Sequence, residues 1–139
     1  MTVKISGQLL PEIKLIREQV FMEEQGFKAE FDETDEDCLH LLIEEEGKPV
    51  AVGRMYGGNG EYHIGRIAVV KDCRKGGYGR MAVEALEKKA AELGGKKTVL
   101  SAQCQARGFY EKMGYTATGE EYLDEHCPHI DMYKILERE

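Results

Sequence analysis

The sequence predicts a mixed α/β (α+β) domain in which helices pack on one central sheet. Three observations carry this expectation. Short apolar runs of strand length recur between turns rich in glycine, proline and asparagine. Two longer segments, about 10–25 and 79–93, repeat apolar residues at helical spacing. Between them, a basic, glycine-rich turn at 71–80 joins a strand to a helix.

The elements follow in order. Residues 2–6 read as a short strand. A helix over about 10–25 starts with Pro11 in its first turn, carries Leu10, Ile13, Ile16, Val20 and Phe21 on one face, and ends at Gly26. The acidic stretch 28–37 reads as a loop. Strands at about 38–45 and 49–56 flank the turn Gly47-Lys48-Pro49, and Gly57-Gly58-Asn59-Gly60 turns the chain into a buried strand from Tyr62 to Val70. The helix after Gly76–Gly79 presents Ala82, Ala85, Leu86, Ala90 and Leu93, and Gly94-Gly95 stops it. A short strand at Thr98–Leu100, a helix from Gln103 to Met113 closed by Gly114, and strands near 115–118 and 129–136 complete the chain.

The 139 residues suit one domain over 1–139 and bury enough surface to need no disulfide or metal staple. No apolar run reaches the ~18 residues of a membrane span, and the first residues lack the h-region of a signal peptide, so a cytoplasmic protein is expected. Cys38, Cys73, Cys104 and Cys127 form no CxxC pair, so they read as thiols and no metal site is expected. The formal charge of −7 is unevenly placed. Residues 23–46 carry eleven acids against Lys28, whereas residues 66–80 carry five basic side chains against Asp72. An acidic protein repels duplex phosphate, which argues against nucleic acid as partner. A basic island within it suits a small polyanion.

That island follows the strand Ile67-Ala68-Val69. Glycines admit positive φ and close approach of a ligand, and the first N–H groups of a helix lack intrahelical partners. Arg74, Lys75 and Arg80 add full charges, so a pyrophosphate is the natural occupant. Neither GxxxxGK[ST] nor a complete GxGxxG is present.

Arg74-Lys75-Gly76-Gly77-Tyr78-Gly79 resembles the R/Q-x-x-G-x-G/A acyl-CoA motif of the GNAT acetyltransferase superfamily. Residues Gln103 to Tyr115, with Ala106, Phe109-Tyr110 and Gly114-Tyr115, resemble its second block, A-x-x-F-Y-x-x-x-G-F/Y. Arg17 with Val20–Gln25, then Glu30, Asp32, Asp35 and His40, and the tail Tyr122–Met132 resemble the small bacterial ElaA/YjcF-type branch. The resemblance implies a single GNAT domain with a mostly antiparallel, splayed sheet. It also implies transfer of an acetyl group from acetyl-CoA to a primary amine by direct attack in a ternary complex.

Residue by residue, it implies that Ile67, Ala68 and Val69 meet the pantetheine arm through main-chain atoms. The turn Lys75, Gly76, Gly77, Tyr78, Gly79 and Arg80, with Arg74, would hold the pyrophosphate, and Gln103 would contact the arm. Tyr110 stands where the family often keeps a tyrosine near the acetyl-CoA sulfur, as general acid. Many members place a Glu where this chain has Gly65, so the base must lie elsewhere. His63 shares a face with Gly65 and Ile67 by strand alternation and is the candidate base; His40 and His129 belong to the narrower branch's pattern and could line the cleft, but the favoured reading of each is a buried, hydrogen-bonded structural histidine. The acceptor is a small-molecule amine or a lysine or N-terminal amine. Acidic residues 30–37 would favour a cationic one if they border its cleft. Many relatives pair as dimers, so the resemblance allows a homodimer, although the sequence sets no oligomeric state. A covalent route through Cys73 or Cys104 lacks an adjacent histidine. The alternative class is a CoA-binding or sensing module without turnover.

Overall fold

A computed structural model describes residues 1–28 and 30–136. Seven strands form one mixed sheet flanked by helices, in the order β1-β2-β3-β4-β5-β7-β6. In chain order these are β1 (Thr2–Ser6), β2 (Leu39–Glu45), β3 (Lys48–Gly58), β4 (Glu61–Val69), β5 (Lys97–Gln103), β6 (Thr116–Asp124) and β7 (Cys127–Ile135). The pairs β1–β2, β2–β3, β5–β7 and β6–β7 are antiparallel. Strand β4 begins in a parallel ladder with β5, through Glu61↔Lys97, Tyr62↔Thr98 and His63↔Val99.

The chain divides into two compact units, residues 1–56 with 64–86, and residues 57–63 with 87–139. The first contains α1 (Pro11–Arg17), which continues as a π-helical turn over Glu18–Glu24. The expected single helix to residue 25 therefore changes pitch after Arg17. The widened turn closes with the Gln25 amide on the Val20 carbonyl at 3.1 Å, and it buries the adjacent pair Val20 and Phe21. Ile13 and Ile16 of the helix are buried, as are Leu41, Leu42, Ile43 and Val52 of the strands. These are the core positions that the apolar pattern predicts.

The segment expected as an acidic loop is partly ordered as a 3-10 turn, Glu33–Asp37. Its capping box is reciprocal: Asp32 accepts at the turn's third residue, and the Asp32 amide donates to Asp35 Oδ2 at 3.2 Å. After β4 a 3-10 turn, Lys71–Gly76, leads through left-handed Gly77 (φ +78°) into α2 (Tyr78–Glu92).

In the second unit, β5 extends three residues beyond the expected Leu100, so Gln103 ends a strand instead of opening a helix. A short 3-10 turn, Cys104–Ala106, then precedes α3 (Arg107–Lys112). Strand β6 is also longer than expected. Gly119 (φ +76°) resembles a turn glycine in sequence, yet the β6–β7 ladder only shifts register between Thr118 and Tyr122 and resumes. Strand β7 accordingly starts at Cys127, two residues before the expected position. No helix among the described residues is long and apolar enough to cross a membrane.

Candidate active site

Strand β4 carries the candidate cofactor-binding backbone, and an ion network sets its shape. Arg66 has φ +51° inside the strand, a conformation β-rich sequence does not favour in a non-glycine residue. Its Nε lies 3.1 Å from Glu30 Oε1, and its Nη2 lies 3.5 Å from Asp32 Oδ2. Arg17, 0% exposed, donates Nε to Glu30 Oε1 at 2.8 Å and Nη1 to Asp35 Oδ1 at 2.8 Å. Arg54 donates Nη1 to Asp32 Oδ1 and to Asp35 Oδ1, both at 2.9 Å. Three guanidinium groups thus face three carboxylates. Arg17, Arg54, Glu30 and Asp35 are buried, and such a set is held by geometry, because desolvation offsets much of the Coulomb attraction and a removed partner leaves an unpaired charge.

Burial works against the ionised form of Asp35, but hydrogen bonds from Arg17 and Arg54 outweigh it and hold its carboxyl down at about 2. At Glu30 burial is the largest influence and pushes the carboxyl up, against the pull of Arg66 and Arg17.

This network bears on two expectations. Glu30, Asp32 and Asp35 are engaged by arginines, so these members of the acidic segment are not free carboxylates bordering an acceptor cleft. His40 is 1% exposed and its Nε2 donates to the Asp35 carbonyl at 2.9 Å, which makes it an internal strut of the same network. The pattern of single residues hinted at Arg17, Glu30, Asp32 and Asp35 but missed Arg54 and Arg66. The available signal was Arg54 standing alone inside the apolar run Val50–Met55.

Arg66 also undoes part of the alternation used for His63. A left-handed residue breaks the period of two, so faces counted from His63 through Gly65 do not carry over to Ile67. Ile67 points instead toward Gly53 and Leu86: a Cβ added to Gly53 would stand 2.7 Å from Ile67 Cδ1 and 3.0 Å from Leu86 Cδ1. Ala68 is buried, and the Val69 carbonyl accepts from Arg74 Nε at 3.1 Å.

The turn beyond β4 joins a left-handed glycine to the start of a helix. Gly77 has φ +78°, and the place where a Cβ would stand has no neighbour within 4 Å. That open, left-handed position precedes the first amides of α2, where the Met81 amide returns to the Gly77 carbonyl at 3.1 Å. Lys75 and Arg80 are exposed, and Arg80 makes only a loose i,i+4 pair with Glu84 at 3.4 Å. Arg74 donates Nη2 to Glu24 Oε1 at 2.7 Å, tying the turn to the π-helical segment. Gly76 serves packing, since a Cβ there would stand 2.7 Å from the Tyr78 ring, and the Tyr78 hydroxyl donates to Glu45 Oε2. Gly79 lies inside α2 without positive φ, so of the two motif glycines Gly77 alone takes left-handed backbone.

The second unit supplies the other candidate groups. Tyr110 on α3 sits between Phe109 and Tyr115, with ring centroids 5.0 and 5.8 Å away. Burial pushes its phenol up to about 12, so it is protonated at neutral pH. The Tyr115 hydroxyl behind it donates to Glu87 Oε2 at 2.9 Å and lies 2.8 Å from Thr98 Oγ1, and Lys134 Nζ reaches Glu87 Oε1 at 3.2 Å. Gln103 accepts from Gln105 Nε2 at 2.8 Å and pairs in register with His129. His129 is buried, its Nδ1 lies 2.9 Å from the Cys127 carbonyl, and its ring stacks on Tyr122. His63 is half-exposed, with Nε2 3.9 Å from Glu61 Oε2, and it lines a cavity of about 360 Å³ together with Glu61, Lys97, Ser101, Asp131 and Tyr133. The sequence reading missed Ser101 and Asp131. Their signal was the alternation of Lys97, Val99 and Ser101 on β5 opposite Asp131 and Tyr133 on β7.

Comparison with known proteins places this geometry in a family. Residues 11–136 match the model of the acetyltransferase (GNAT) domain. The chain is 40% identical over 122 residues to the uncharacterized N-acetyltransferase YjcF of Bacillus subtilis (strain 168), spanning 86% of this chain and 87% of that protein. Its fold is similar to a crystal structure of an acyl-CoA N-acyltransferase from Pseudomonas aeruginosa, with TM-score 0.83, 26% identity and coverage of 96% and 99% of the two chains. It is also similar to Escherichia coli ElaA, with TM-score 0.80, 22% identity and coverage of 96% and 99%. The chain therefore belongs to the GNAT acetyltransferase family.

Proposed function

We propose that residues 1–139 form one acyltransferase domain that moves an acetyl group from acetyl-CoA to a primary amine in a ternary complex. The observation that supports it most is the Gly77 turn: an open left-handed glycine at the start of a long helix, directly after β4 and among Lys75 and Arg80.

Acetyl-CoA supplies a thioester carbonyl carbon to the attacking nitrogen and a thiolate as leaving group. The chain's residues do the rest. Main-chain groups of Ile67, Ala68 and Val69 align the pantetheine arm, and a strand N–H there polarises the carbonyl oxygen. The amides of Lys75 to Arg80, with the side chains of Lys75 and Arg80, hold the pyrophosphate. Gln103 contacts the arm from the end of β5. His63 accepts the proton lost by the amine. Tyr110 hydrogen-bonds the departing sulfur. With its phenol near 12, complete proton transfer to a thiolate whose ordinary pKa is about 8.5 runs uphill, so its share is hydrogen-bond donation. Arg74 acts through Glu24 and the Val69 carbonyl, as a brace of the turn.

Gly65, standing where many relatives keep a Glu, favours a second reading: a CoA-binding module without turnover. Steady-state acetyl-CoA consumption across an amine panel, beside calorimetry with CoA, separates the two. Turnover with any amine supports the transferase; CoA binding with inertness toward every amine supports the module; no binding removes both. A cytoplasmic location and a homodimer accompany the first reading.

A further inference from the structure

The cavity beside His63 contains a carboxylate, Asp131, with no ion pair among the described residues. Asp131 Oδ1 accepts from the Tyr122 hydroxyl at 2.6 Å, and that hydroxyl also bonds Ser101 Oγ. Tyr122 in turn stacks on buried His129, with centroids 6.1 Å apart. The carboxylate is therefore held in place from behind. The other lining acid, Glu61, is already met by Lys97 Nζ at 3.6 Å. That same Lys97 ammonium stands 5.1 Å from the Tyr133 ring centroid, so the ring face accepts a cation in this setting. A cavity of about 360 Å³ falls near the lower end of small-molecule sites, which span roughly 300–1,000 Å³.

We infer that this cavity selects an acceptor with a second ammonium: one amine meets His63, and the distal ammonium binds Asp131 beside the Tyr133 ring. The acceptor class is then a small aliphatic diamine or polyamine. The inference rests on the transferase reading for the fate of the first amine, but not for the selectivity. It replaces the acidic segment 30–37, whose buried carboxylates are spent on arginines, with a carboxylate held ready by its neighbours. Fixing Asp131 in advance lowers the ordering cost of binding, and a charge-assisted hydrogen bond at a partly enclosed site is worth about 1.5–3 kcal/mol, or roughly 10- to 150-fold in affinity.

Calorimetric titration of the full chain, saturated with CoA, uses two probes of equal length: diaminobutane and pentylamine, in which one amino group becomes methyl. The diamine is expected to bind at least ~10-fold more tightly. Asp131→Asn is expected to abolish that preference. Lys97→Met, which frees the Tyr133 face and Glu61, is expected to tighten diamine binding, a gain that misfolding cannot produce. Equal affinities in the unaltered chain, or a preference that survives Asp131→Asn, overturns the inference. Acetyl transfer is followed separately on the same two amines. Diamine-selective binding without turnover keeps the cavity assignment and removes the transferase reading. Turnover of both amines with equal kcat/KM does the reverse.

Discussion

Arg66 Nε lies 3.1 Å from Glu30 Oε1, joining the left-handed residue of β4 to a carboxylate thirty-six positions earlier in the chain. The same guanidinium donates to the Glu30 carbonyl at 3.2 Å. Two contacts with one residue fix both the height and the direction of the side chain. That accounts for a backbone conformation costing about 1 kcal/mol in a non-glycine residue immediately before the candidate cofactor strand.

Replacing Arg66 separates strain from clamp. Arg66→Gly loses the ion pairs but accepts φ +51° freely, whereas Arg66→Ala loses them and keeps the strain. Urea unfolding is expected to rank the alanine variant about 1 kcal/mol below the glycine variant, both below the parent. Both are also expected to bind CoA more weakly, because Ile67–Val69 lose their anchor. Equal stabilities would mean that the backbone relaxes once the side chain is gone.

Asp35 makes the network pH-dependent in one direction. Its folded carboxyl is held at about 2, below the ordinary value of 3.8, so its contribution is fully present above pH 4. That contribution, roughly 2 kcal/mol, is lost as pH falls toward 2. Glu30 is shifted the other way, so its protonation on acidification favours the folded form and delays the onset of acid unfolding. Asp35→Asn is expected to destabilise by about 3–5 kcal/mol at neutral pH, since Arg17 is left buried and short of a partner. The gap between parent and variant should narrow between pH 4 and 2 in denaturant titrations. A gap independent of pH would place the loss in packing.

How far this could be read from sequence depends on the range of the interactions. The strand–turn–helix unit from Ile67 to Leu86 was legible because glycines, basic side chains and a helical apolar period each act locally. Arg66 was not, because its conformation depends on Glu30 and Asp32, remote in sequence. The acidic segment misled for a related reason: charge density reads as solvation until the arginines that bury it are located. Gly119 is ambiguous in sequence, because positive φ serves a strand irregularity as well as a turn. Ser101 and Asp131 belong to the alternating faces of β5 and β7, and the extent of β5 was underestimated by three residues on its C-terminal side.

The two glycines of the motif should behave differently. Gly77→Val forces a β-branched residue to φ +78°, so a stability loss of about 1–3 kcal/mol and a loss of CoA affinity are expected together. Gly79→Ala sits in α2, where alanine is favoured by about 0.5–1 kcal/mol, so thermal stability should hold or rise. If calorimetry then shows weakened CoA binding in Gly79→Ala, the side chain obstructs the ligand and the fold is not at fault. A destabilised Gly79→Ala would instead point to special backbone at that position.

Tyr110 is the sharpest test of the chemistry. A phenol pushed up to about 12 carries its proton across the whole working range, so it cannot produce an alkaline limb below pH 10. Tyr110→Phe keeps the ring and its edge contacts with Phe109 and Tyr115 but removes the donor. If the hydroxyl only hydrogen-bonds the leaving sulfur, kcat should fall about 10-fold, the share of one charge-assisted hydrogen bond, with little change in the KM for acetyl-CoA. Full general acid catalysis predicts a loss of about 100- to 10,000-fold instead. Steady-state rates of parent and variant from pH 6 to 10 decide between them. An alkaline limb seen in the parent and absent from the variant would show a phenol titrating far below 12, and with it a site more open to water or cation than the packing of Tyr110 implies.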